Sequence, residues 1–196
     1  MAEETIEKVR TIKRQFHLYM DGVASASMRE KGVEYKVNWG LKIQHLKQIA
    51  SDYDKDYELA AELWKSNTRE CKILATMLMP PEKFPQDLAQ RWIEQTTTPE
   101  IAQYLAFYLM QYTADAASLA FQWIASTNDR QQICGYNTLS GLFSQGKQPA
   151  VRDMNELIDQ ALACRSHAAI NCLNKLASLS EEHERIVENA LRSVIG

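Results

Sequence analysis

"LAAELWKS" (59–66), "LAQRWIEQ" (88–95) and "LAFQWIAS" (119–126) repeat one phrase: Leu-Ala, two or three variable residues, then Trp. Their first leucines, Leu59, Leu88 and Leu119, are near-equally spaced. A helical hairpin cannot cover its own apolar stripe. Stacking equivalent hairpins gives each stripe a partner, and a residue that recurs with the stack fills the same slot between layers. The three tryptophans are therefore expected in the core. The spacing is shorter than the usual HEAT period, so the helical hairpin is better defined than the repeat class. A closed, non-repeating bundle is the alternative.

Working outward, the rest of the chain also reads as helix. Ala, Leu, Glu, Gln and Lys dominate, and β-branched runs are missing. Ile6, Val9, Ile12, Phe16 and Tyr19 form the apolar stripe of a first helix, which "DGVAS" (21–25) bends or interrupts. Gly32 and Gly40 bracket a loop, "EKGVEYKVNWG" (30–40). Leu41, Leu46 and Ile49 face inward from a short helix, and residues 52–56 start the next. Asn67 with Glu70 three residues on resembles a capping box for the helix after Trp64. Pro80 and Pro81 end that helix. Thr98 then caps, with Pro99 at the first helical position. Asn128 or Thr127 caps the helix after Trp123. Ser180 and the glutamates behind it start the last one. The fold class expected is all-α, a right-handed α–α superhelix of HEAT-like repeats forming a single domain over residues 1–196. Such an array has a concave face lined by one helix of each pair. Polar residues of those helices, Arg69, Lys72, Arg130 and Lys175 among them, are placed to look into it.

The formal net charge of −3 argues against a strongly basic nucleic-acid binder but allows a local basic face. Residues 1–50 carry nine Lys/Arg against six Asp/Glu, and residues 51–100 carry six against ten. Cys71, Cys134, Cys164 and Cys172 form no C-x-x-C and are read as reduced core thiols. The opening "MAEETIEKVR" lacks the order of a signal peptide, and no apolar run is long enough for a membrane span. The expectation is a cytoplasmic protein with no membrane partner.

Catalytic motifs are absent from the sequence. There is no H-E-x-x-H, no Gly-rich phosphate loop and no G-x-S-x-G, and no metal or cofactor is called for. "DYDKDYE" (52–58) lacks the spacing of a calcium loop and is read as helix N-terminal charge. Tyr104, Phe107, Tyr108 and Tyr112 spiral around one helix, so some line a surface. Trp39 stands outside the repeat, in a loop beside Lys36 and Lys42. It is a candidate for stacking on a base as well as for packing on a neighbouring helix.

"YKVNWGLKIQHLKQIA" (35–50), "LAAELWKSNTRECKILATMLMPPEKF" (59–84), "WIASTNDRQQICGYNTLSGLF" (123–143) and "SHAAINCLNKLASL" (166–179) together resemble the AlkD-like DNA alkylation repair family. The resemblance implies HEAT-like repeats with a concave face that binds double-stranded DNA. It also implies metal- and cofactor-free hydrolysis of the N-glycosidic bond of alkylated purines. There a carboxylate stabilises the electron-poor sugar and orients water. The family's Trp-Trp-Asp segment corresponds to "TTTPEIAQ" (96–103), where Glu100 is the single carboxylate. Its Arg-Arg corresponds to "DRQQ" (129–132), which keeps Arg130. Its later Trp and Arg correspond to Cys172 and Lys175. The reading is a DNA- or partner-binding scaffold with a degenerate glycosylase site. Trp39, Lys42, Arg69, Lys72, Arg130 and Lys175 are its candidate DNA contacts. One alternative is an active glycosylase with a site rearranged around Glu100 and Arg130. Another is a protein–protein adaptor.

Overall fold

A computed structural model describes residues 2–33 and 35–195. Glu34, in the loop between Gly32 and Gly40, lies outside the described residues. The chain is all-α, built from HEAT-like helical pairs, and it divides into two compact units, residues 1–84 and 85–196.

The first unit holds α1 (Ala2–Tyr19), α2 (Gly22–Glu30), α3 (Ile43–Ser51), α4 (Tyr57–Lys65) and α5 (Arg69–Leu78), then a 3-10 turn over Pro81–Lys83. Asp21 interrupts the first helical run: its carboxylate accepts from the Ala24 N–H and starts α2. Asp56 does the same for α4, accepting from the Leu59 N–H at 3.1 Å. This carboxylate is the helix-starting charge expected of "DYDKDYE". α5 is the hub. It packs on α3 and α4, α1 packs on α3 and α4, and every residue of α5 except Lys72 is buried. Leu46, Leu59, Leu63, Ile73 and Leu74 are buried in these helices, each contributing roughly 1.5–3 kcal/mol by leaving water.

The second unit holds α6 (Gln86–Glu94), α7 (Pro99–Tyr108), a 3-10 turn over Met110–Tyr112, α8 (Ala116–Ile124), α9 (Asp129–Ser144), α10 (Val151–Cys164), α11 (His167–Ala177) and α12 (Glu181–Ile195). Thr98, Asn128 and Ser166 supply side-chain caps to α7, α9 and α11. α9 is the hub here, packing on α6, α7, α8 and α11. It approaches α8 closely because Gly135 has no side chain. A Cβ there would stand 2.8 Å from both the Ala120 carbonyl and the Ile124 side chain. Ala120, Ile124, Tyr136, Leu139, Leu157 and Leu173 continue one apolar core from α8 into α11.

The recurring tryptophans are all buried. Trp64, Trp92 and Trp123 are 3%, 3% and 2% exposed. Within the second unit the Trp123 indole N–H donates to the Gln90 side-chain oxygen at 2.9 Å, tying α8 to α6. The four cysteines are free thiols. Burial raises Cys71 to about 11 and Cys172 to about 12.

A candidate nucleic-acid interface in the first unit

The start of α5 is built differently from the capping box suggested by its sequence. The N-cap is Thr68, whose side chain caps nothing, and Glu70 does not reach back to it. A loop supplies the missing partners instead. The Val37 carbonyl accepts from the Arg69 N–H at 3.0 Å, and the Val37 N–H donates to the Asn67 carbonyl at 3.3 Å, making a small parallel bridge. The Glu70 carboxylate, fully buried, accepts from the Trp39 N–H at 3.2 Å and from the Leu41 N–H at 3.3 Å. Arg69 neutralises it at 3.2 Å and donates to the Leu41 carbonyl at 2.9 Å. A buried carboxylate is tolerable only when its oxygens are filled in this way.

The same loop is tied down from its other side. The Asp21 N–H donates to the Trp39 carbonyl at 2.9 Å, and the Ser25 hydroxyl donates to the Asn38 carbonyl at 2.8 Å. Gly40 takes φ +73°, and a Cβ on it would collide with the Asp21 carbonyl. The backbone on both sides of Trp39 is therefore fixed before any ligand arrives.

The Trp39 ring is left at the surface. It meets His17 of α1 edge to face, with ring centroids 4.4 Å apart. Together they line an open cleft of about 340 Å³ whose other walls are Arg10, Lys13, Arg14, Val37 and Thr68. Among the described residues, no carboxylate lines it. Glu7 bridges Arg10 and Arg14 at 3.4 Å each, but these are exposed pairs of little strength. The buried Glu70 charge is already met by Arg69. The cleft is therefore cationic and aromatic at once.

The other residues singled out in the sequence lie as follows. Arg69 is 3% exposed and committed to Glu70, so it offers no charge to the surface; the expectation that it lines an open face fails on its burial. Lys42 is exposed just before α3. Lys72, half-buried, places its ammonium 4.1 Å from the Trp64 ring centre. Burial lowers its pKa from 10.5 to about 8, because removal from water disfavours the charged form. Trp39, Arg69 and the backbone beside Lys42 thus meet at Glu70. Arg130, Lys175 and Glu100 belong to the second unit. Glu100 is half-buried in the first turn of α7, Arg130 is half-buried in the first turn of α9, and Lys175 is exposed near the end of α11. On α7 and the turn after it, Phe107 and Tyr112 are each 57% exposed, while Tyr104 stacks on Tyr108 at 5.6 Å. The sequence reading missed the α1 cations. Their signal was available: Arg10, Lys13, Arg14 and His17 recur at helical spacing, opposite the buried Ile12 and Phe16.

The fold and this cleft define a class: a helical-repeat protein with a preformed cationic surface. The chain belongs to the DNA alkylation repair enzyme family, whose model matches residues 12–193. It is also similar to a solved structure from proteins described as a new family related to the HEAT-like repeat DNA glycosylases, with affinity for branched DNA structures. The two share a TM-score of 0.82 and 16% identity, over 94% of this chain and 82% of that one, a likeness of fold. No curated protein matches the sequence. No helix among the described residues is long and apolar enough to cross a membrane.

Proposed function

We propose that this protein binds DNA, branched DNA included, through the cationic face of α1, and that it is not an active glycosylase. The observation that carries the reading is the cleft where Arg10, Lys13 and Arg14 line one wall beside Trp39, with no carboxylate in its lining among the described residues. Three cations on a rigid helix suit phosphate contacts, which set affinity without reading sequence. The affinity for branched DNA described for the structurally similar family supports the choice of ligand. The departures at the family's catalytic segment argue against base excision. Glu100 is the single carboxylate in "TTTPEIAQ", and neither of the aromatics expected beside the sugar is present there.

Fluorescence anisotropy with a three-way junction and a linear duplex tests the binding. The expected result is binding that weakens steeply with salt. Replacing Arg10, Lys13 and Arg14 together by Gln reduces the log–log salt slope by roughly 2–3. An unchanged slope would overturn the assignment. In parallel, alkylated duplex DNA is expected to release no purine above the enzyme-free blank. Release that disappears in Glu100→Gln would establish the glycosylase reading instead.

An adaptor role has one specific observation in its favour, the exposed Phe107 and Tyr112 on a stretch with few charges. It predicts a protein partner whose binding ignores salt and fails in a Phe107→Ser variant.

A further inference from the structure

Phosphate binding alone needs cations, yet this cleft also presents an indole held in place from four directions. The Trp39 N–H is fixed by Glu70, its carbonyl by the Asp21 N–H, its ring by His17, and the next residue by the αL turn at Gly40. That anchoring closes the start of α5, yet it leaves the ring itself outside the apolar core. The core tryptophans are almost fully buried, whereas Trp39 is only partly buried and opens on the cationic wall of α1. A cleft of about 340 Å³ is at the small end of ligand sites. In a paired duplex the bases are stacked on one another, so their faces are closed to an indole.

We infer that the Trp39–His17 cleft receives a single unpaired nucleotide, at a branch point or strand end, with its base against the Trp39 ring and its phosphate on Arg10, Lys13 and Arg14. The inference rests on the DNA-binding reading and adds what the site selects. Base–aromatic stacking is tolerant of sequence, because every base has a π-face. Selectivity is therefore for unpaired structure and not for a base identity. His17 acts as a positioning residue, bracing the indole edge to face.

The test compares a duplex carrying a five-nucleotide single-stranded flap with a blunt duplex of equal length, using the full-length protein. Trp39→Ala is expected to weaken flap binding about ten-fold and to change blunt-duplex binding less than two-fold. Trp39→Phe, which keeps an aromatic face, is expected to restore most of the loss. If the alanine variant does not fold, indole fluorescence decides. Flap DNA should quench the wild type, and that quenching should vanish in Trp39→Phe. Equal losses on both DNAs, or quenching that survives in Trp39→Phe, overturns the inference while DNA binding itself stands. If the wild type binds neither DNA, the DNA-binding reading falls first. Displacement of the flap by oligoglutamate as effectively as by oligothymidylate of equal charge also overturns the inference, and points to an acidic protein partner.

Discussion

Residues 1–84 and residues 85–196 each close around one central helix, and they do so by opposite means. In the second unit α9 is closed by the lack of a side chain, with Gly135 set against the Ala120 carbonyl. In the first unit α5 is closed by charge, with Glu70 gathering Arg69 and two loop N–H groups. Apolar closure asks only that shapes fit, and cores of the right volume tolerate much exchange. Ionic closure asks that particular backbone groups come to a particular carboxylate. It costs desolvation, and in return it fixes a loop that no repeat rule would fix. The repeat supplies the scaffold, and the site stands where the chain departs from it.

The largest expected effect sharpens that contrast. Glu70→Ala breaks the buried ion pair with Arg69 and removes the acceptor of the Trp39 and Leu41 N–H groups. The cost is about 3–5 kcal/mol, a fall of order 10 °C in Tm for a chain this long, read by thermal unfolding. Gly135→Ala, its counterpart in the second unit, should cost less, about 1–3 kcal/mol, since helices can shift where a backbone carbonyl and an isoleucine are crowded. If Gly135→Ala proved the more damaging, the comparison would be inverted.

Smaller still is the effect of Lys72. Its ammonium is partly buried and its pKa lowered to about 8, so the native chain holds fewer protons there than the unfolded chain. Native stability from this group therefore rises as pH climbs from about 8 to 10.5. Lys72→Met lacks that rise. Its Tm relative to wild type is expected to drop between pH 7 and pH 10 by about 2–4 °C after solvent screening. Smallest is Tyr136→Phe. The buried Tyr136 hydroxyl has no hydrogen-bond partner among the described residues. Its removal is expected to change stability by less than about 1 kcal/mol in either direction, measured by urea denaturation.

Much of the fold is legible in local chemistry. Asp56, Thr98 and Asn128 cap helices because each precedes an apolar helical run, and their side chains reach N–H groups only a few residues away. The tryptophan period points to the core, and all three recurring tryptophans are buried. The site is less legible because its bonds are long-range. Glu70 fits a local cap pattern, yet its partners are 31 and 29 residues upstream. No local rule links Trp39 to them. Arg69 looks like a surface cation for the same reason, since its partner carbonyl is 28 residues upstream. The α1 cations were hidden in plain spacing. The helix's apolar stripe explains why α1 packs, and only the placement of Trp39 beside it gives the opposite face a use.

The most direct test is residue-resolved. In a ¹H–¹⁵N spectrum, adding flap DNA should shift backbone signals of residues 10–17 and 37–41, together with one of the four tryptophan indole signals, assigned to Trp39 by Trp39→Phe. Shifts gathered instead around Glu100 and Arg130, with α1 and the Trp39 indole unmoved, would contradict the account.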